Sequence, residues 1–352
     1  MLRTRFEQKG GAPRRHRITA VAASRVRLYS GCEERYYTCI NRENKKSAVS
    51  RHGPWHVWRY TTMNSPFFEK PFRWNLAHEE QLGRLAANVE PKVLHAADHR
   101  ELVQCCARVI AYAGNRRLIF VGRSPESLFD YLSGLLSGTS WSHRLALFHF
   151  SMRYIEEHEL RQRYPHAMPA MREYMTALRL NPEGIATGRP PVAFVDLVYS
   201  GSTFINLMTL LRNWSFEDGF DWPLVNGRIR LIGITIRTKT SPKTWRWQQK
   251  NEKLQALSVK SVKNVSMDTG LWSYLGNDQK KLTESYPPRR WGDAALARPE
   301  HSQDRLEALA LALHLYQSGK TSDGRREFAA ALSRMPAMKE RWFRQLVLEL
   351  KQ

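Results

Sequence analysis

Short apolar runs of strand length alternate with longer stretches of helical period over most of this chain. Residues 118–121 and 192–195 are apolar throughout, the pattern of strands covered on both faces, and 145–150 and 229–236 are β-rich runs of similar length. Between them Leu102, Cys105, Cys106, Val109, Ile110 and Ala113 recur at helical spacing, with Asp98 as the predicted N-cap and Gly114-Asn115 as the stop. Leu128, Phe129, Leu132 and Leu135 mark a second helix, and Phe204, Leu207, Met208 and Leu211 another. A further helix is predicted over 168–180, and 75–87 can also be helical. This succession predicts an α/β domain with a mainly parallel, Rossmann-like sheet flanked by helices.

The flanks follow different patterns. Residues 1–62 show no sustained period, and 63–240 hold the α/β pattern. In 241–300, Trp245, Trp247, Trp272, Tyr274, Tyr286 and Trp291 are interleaved with lysines and arginines. That stretch reads either as a small satellite core with a basic surface or as a hood that stacks a planar group. From 301 to 352 the chain is a predicted helical hairpin carrying Leu306, Leu309, Leu313 and Tyr316, then Phe328, Ala331 and Leu332, with a last helix through Trp342 and Leu346.

Charge changes the picture more than composition does. With 42% hydrophobic and 25% charged residues the chain has a globular balance, and no apolar run approaches bilayer length, so no membrane segment is expected. The formal net charge is +22, which favours polyanionic partners. Residues 1–62 hold 14 Lys and Arg against four acidic residues. They read as a nucleic-acid-binding basic arm, an organelle-targeting segment, or upstream sequence from a wrong start with Met63 the first residue; the last is the reading taken. Cys32, Cys39, Cys105 and Cys106 lack paired CxxC spacing, so the sequence predicts neither zinc nor a disulfide framework, and a reducing, cytoplasmic setting. Cys105 and Cys106 read as core residues, and His149 as a satisfied core or edge histidine.

Candidate chemistry lies in two loops, each between a strand and a helix. Tyr199, Ser200, Gly201, Ser202 and Thr203 place hydroxyls and a glycine where a helix begins, and unpaired N–H groups and the helix dipole there favour an anion. Asp196 stands at the carboxyl end of the preceding strand. Gly122, Arg123 and Ser124 follow the earlier strand, with a guanidinium able to chelate phosphate oxygens.

The strand, acidic residue and Ser-Gly-Ser-Thr loop resemble the phosphoribosyl-diphosphate signature of type I phosphoribosyltransferases. Asp196 matches the second of that family's two acidic positions, Val195 stands at the first, and Tyr199 stands where several members carry a carboxylate. The resemblance implies the type I fold, a 5′-phosphate on Ser200, Gly201, Ser202 and Thr203, and ribose hydroxyls on Asp196. It also implies diphosphate on Gly122, Arg123 and Ser124, Mg2+ bridging sugar and diphosphate, and a mobile segment between the loops. The 301–352 hairpin resembles a single tetratricopeptide repeat, with Gly324 where alanine is usual; one repeat cannot bury its own face, so it should pack on the α/β domain or on a partner.

Two function classes follow. One is a phosphoribosyltransferase-like protein acting on phosphoribosyl diphosphate or a related sugar phosphate. The other is a non-catalytic ligand-sensing or nucleic-acid-binding protein that keeps the phosphate loop. A serine hydrolase ranks below both, since the Gly-x-Ser-x-Gly elbow is missing.

Overall fold

A computed structural model describes residues 71–352 apart from 79–81, 83–88, 91, 153–156, 241–245, 260 and 299. The basic segment 1–62, the Met63 boundary, Trp245 and most of the 75–87 stretch lie outside the described residues.

The apolar runs become the strands of one five-stranded, all-parallel sheet: β1 (Arg117–Val121), β2 (Leu145–Phe148), β3 (Val192–Leu197), β4 (Ile229–Ile236) and β5 (Val262–Met267), in the order β2-β1-β3-β4-β5. β3, buried along its whole length, sits in the middle, where both faces need apolar side chains. Phe120 pairs with Val195 and Leu118 with Leu145, so the chain runs outward from β1 to β2 and then crosses to β3 on the opposite flank. That reversal of direction is a topological switch point, and it lies between β1 and β3. β5 was not foreseen: the stretch expected as an aromatic extension supplies the edge of the sheet.

Helices cover both faces. On one lie α1 (Ala96–Ala113) and α2 (Glu126–Leu135), together with the C-terminal α10 (Gln303–Lys320), α11 (Ser322–Ser333) and α12 (Arg341–Glu349). On the other lie α3 (Glu157–Arg163), α4 (Ala167–Ala177), α5 (Pro182–Thr187), α6 (Ser202–Glu217), α7 (Trp222–Gly227) and α8 (Glu252–Ala256); α9 (Thr269–Ser273) follows β5. Alternation along β3 divides the two cores: Ala193, Val195 and Leu197 point to the first, Val192 and Phe194 to the second. Among the described residues no helix is long and apolar enough to cross a membrane.

Several expectations shift locally. The N-cap of α1 is His95, and Asp98 sits in the first turn, where a carboxylate complements the helix dipole. α4 ends at Ala177, ahead of Arg179, which takes a left-handed φ of 55°. β2 stops at Phe148, and His149 just beyond it is fully buried with neither ring nitrogen hydrogen-bonded, so it is a core histidine but not a satisfied one. Burial pushes its pKa down to about 3, keeping it neutral. Cys105 and Cys106 are core residues, and burial pushes the Cys105 thiol up to about 12.

The C-terminal hairpin packs on the α/β domain. α10 lies so close to α2 that a Cβ on Gly134 would stand 1.9 Å from the Tyr316 carbonyl oxygen, and one on Gly319 would stand 2.5 Å from that of Tyr131. Two glycines thus let two helix backbones meet, and Leu311, Leu315, Phe328 and Leu332 complete the buried face.

Candidate functional site

The register sets the geometry. Because Phe120 lies beside Val195, the two sequence-derived loops leave the same edge of the sheet from adjacent strands, on either side of the switch point.

After β3, Val198 still donates its N–H to the Ile234 carbonyl at 2.8 Å, and the chain then turns away. Tyr199 and Ser200 are exposed, while Ser202 and Thr203 are half-buried. Gly201 adopts φ 84° as the N-cap of α6, a left-handed conformation that glycine takes at no steric cost. The α6 ladder begins with the Ile205 N–H donating to the Gly201 carbonyl, so the N–H groups of the turn ahead of it are free of intrahelical acceptors. The Ser200 and Ser202 hydroxyl oxygens lie 3.5 Å apart.

Trp247 forms the back wall of this turn. A Cβ at residue 201 would fall 2.3 Å from its ring and one at Gly233 would fall 2.8 Å from its Nε1, which donates to the Asn264 side-chain oxygen at 2.7 Å. The Trp272 Nε1 donates to the Ile234 carbonyl, with its ring 6.4 Å from that of Tyr199. Trp247, Tyr286 and Trp291 are buried in the same core as Phe194 and Phe204 on the second face of the sheet, not in a separate satellite core; the partly exposed planar surface near the turn comes from Trp272 and Tyr199.

Asp196 differs from the open carboxylate that the motif suggests. It is only 7% exposed, no cation pairs with it among the described residues, and burial pushes its pKa well above the usual carboxylate range, against the Leu197 N–H that favours the charged form. Burial disfavours its charged form.

After β1, Gly122 takes φ 73° and donates its N–H to the Phe148 carbonyl at 2.8 Å. Arg123 and Ser124 follow, half-buried, ahead of the Pro125 N-cap of α2. Glu126, in the first turn, accepts the N–H groups of Leu282 and Thr283, each at 3.0 Å, and Ser127 accepts from the Gln279 amide at 2.6 Å. Residues 279–283 are therefore strapped across the start of α2. The buried Arg73 ties the strap to α2, donating to Asp130 at 2.6 Å and to the Thr283 hydroxyl at 3.0 Å.

Beside the strap, Arg123 lines a polar cavity of about 340 Å³ with Lys280, Lys281, Arg305 and Asn277. Lys280 is paired with Asp304, and Arg305 with Glu300 and Glu284, whereas the Arg123 guanidinium has neither a hydrogen bond nor an ion pair among the described residues. Burial pulls the Arg123 pKa down, Glu126 opposes this, and Arg305 adds to it. The Lys281 ammonium donates to the Leu275 carbonyl at 2.6 Å and to the Gln279 side-chain oxygen at 2.8 Å. Burial pushes its pKa down to about 8, with Arg123 contributing. An unpartnered guanidinium beside an ammonium held only by neutral oxygens, in a partly enclosed polar space, favours a phosphate or another small anion. Lys281 and Arg305 are functional candidates that the sequence reading missed; a Lys-Lys pair and an arginine far along the chain carry no motif. None of the residues lining this cavity comes from the 199–203 turn.

No known family model, curated protein or solved structure matches the chain.

The carboxylates around Arg123 are occupied: Glu126 by two main-chain N–H groups, Glu284 by Arg290 and Arg305, Glu300 by Arg305 and Asp304 by Lys280. With Asp196 buried, this donor set does not fit direct ligation of Mg2+ by the protein, since that hard cation takes one or two free carboxylates when a protein holds it.

Proposed function

We propose that the chain binds phosphoribosyl diphosphate, or a related sugar phosphate, across the crevice between the carboxyl ends of β1 and β3. The 5′-phosphate rests on the N–H groups and hydroxyls of Ser200, Gly201, Ser202 and Thr203, and the diphosphate reaches Gly122, Arg123 and Ser124. Arg123 and Lys281 neutralise it from the adjoining cavity. The observation that carries this reading is the pairing of β1 with β3 at the switch point, which sets two anion-suited turns side by side on one edge of a parallel sheet.

In a transfer reaction, the bond from the anomeric carbon to the diphosphate oxygen breaks as an acceptor nucleophile attacks, and both bonding electrons leave with diphosphate. Arg123 is the group placed to stabilise that developing charge. No step is assigned to a metal ion held by the protein; Mg2+ arriving with the ligand would offset part of the diphosphate charge.

Isothermal titration of the full chain with phosphoribosyl diphosphate and Mg2+ is the direct test. Binding that weakens about tenfold or more in Arg123→Ala supports the reading, in line with the ~1.5–3 kcal/mol of a charge-assisted hydrogen bond. No binding by the intact protein removes it.

A second reading is favoured by one observation. Asp196 is buried and Val195 takes the other acidic position, so the ribose hydroxyls lack an open carboxylate. A non-catalytic sensor of the same ligand fits that arrangement, and binding without release of diphosphate in the presence of any acceptor would select it.

A further inference from the structure

The opposite edge of the sheet, where the strands begin, carries a row of arginines. Arg144 precedes β2, Arg116 and Arg117 stand at the start of β1, Arg189 precedes β3, Arg228 and Arg230 stand at the start of β4, and Lys263 lies near the start of β5. With about 4.8 Å between neighbouring strands, the row extends over roughly 19 Å.

These cations are held in place by neutral groups. Arg116 donates to the Ala113 carbonyl at 3.3 Å, and Arg228 to the Ile185 and Gly188 carbonyls. Arg230 donates to the Tyr112 carbonyl at 2.6 Å and to the Ser261 hydroxyl at 2.9 Å. Among the described residues none of Arg116, Arg189, Arg228 and Arg230 forms an ion pair, and Glu349 acts on Arg144. Arg116 and Arg230 converge: the Nη1 atoms of both lie 3.1–3.2 Å from one point, where a Cβ on Gly114 would stand. Burial, Arg230 and Arg228 all push the Arg116 pKa down. Like charges packed together on carbonyls, with no carboxylate among them, repel until an anion separates them.

We propose that this amino-terminal edge of the sheet is a docking surface for the phosphodiester backbone of a nucleic acid. The row is extended, unlike the concave cavity beside Arg123, and so suits a polymer of regularly spaced charges. Guanidiniums fixed by their own hydrogen bonds present the remaining N–H groups in a planar fork that matches phosphate oxygens. The exposed Tyr112 beside Arg230 offers a ring at the same edge. The surface is independent of the sugar-phosphate crevice at the other end of the strands.

The test uses the full chain and fluorescent DNA and RNA oligonucleotides of about 20 nucleotides, titrated over a range of salt. Arg116→Ser/Arg230→Ser should weaken binding about tenfold or more and flatten the dependence of log K on log salt by about 1–2. Arg189→Ser/Lys263→Ser, at two exposed positions, should act in the same direction and serves if the first pair fails to fold. Arg289→Ser/Arg298→Ser removes the same charge from two exposed positions outside the row and should change binding less than about twofold. Equal losses from all three pairs would reduce the effect to net charge and overturn the proposal, as would unchanged binding and slope in the two edge variants. Titration with phosphoribosyl diphosphate should give the same affinity in both edge variants, which separates this surface from the crevice.

Discussion

Trp247 occupies the space that a side chain at residue 201 would need, its ring 2.3 Å from where that Cβ would lie. Gly201 also holds φ 84°, so alanine there carries both a conformational and a packing cost. Gly201→Ala should lose about 2–4 kcal/mol in urea unfolding. In a Trp247→Ala background the same change should cost only about 1 kcal/mol, because the ring is gone. Additive losses would show that the ring does not constrain the turn.

The α2–α10 contact makes a second prediction. Gly319→Ala and Gly134→Ala drive a methyl group into a helix backbone, which has little room to give, and each should cost about 3 kcal/mol. Gly227→Ala is the control, since nothing lies within 4 Å of its would-be Cβ; it should be neutral or slightly stabilising, by about 0.5–1 kcal/mol. Midpoints of chemical unfolding for the three variants settle the comparison.

His149 sets a pH dependence of stability. Its folded pKa, about 3, lies below the ordinary 6.5, so the native state keeps the ring neutral while the unfolded chain takes up a proton. The contribution is fully present above pH 6.5 and is lost as pH falls toward 3, at about 1.4 kcal/mol per pH unit at most. His149→Phe should flatten this part of the profile and, by removing two buried unpaired nitrogens, leave stability near neutral pH unchanged or higher. Equilibrium unfolding at several pH values in that window is the measurement.

Lys281 gives the cavity its own pH dependence. The ammonium, with a pKa near 8, loses its charge as pH rises through that value, so affinity for phosphoribosyl diphosphate should fall above pH 8. Lys281→Met should bind more weakly and lose this dependence, while Arg123→Ala should keep a dependence displaced to higher pH, because the repelling guanidinium has gone. Calorimetric affinities between pH 6 and 9 distinguish the variants.

What the sequence revealed depended on how local the signal was. The central strands are short apolar runs because each is covered on both faces, and residues 118–121 and 192–195 declared themselves. β5 did not: Lys263 is exposed and Asn264 and Ser266 are half-exposed, as suits an edge strand covered less completely. The 199–203 turn was legible through Gly201, whose conformation and close contact both call for glycine. The burial of Asp196 was not, since an acid at the end of a strand reads the same whether it faces solvent or a helix. The cavity beside Arg123 joins residues from the first strand loop, the strap and the start of α10, and only the folded chain brings Lys281 and Arg305 there.

The close meeting of α2 with α10 also bears on synthesis. Residues 126–135 leave the ribosome well before Tyr316 and Gly319, so the groove at Gly134 stays unfilled and the nascent α/β core keeps an uncovered apolar flank until α10 has been made.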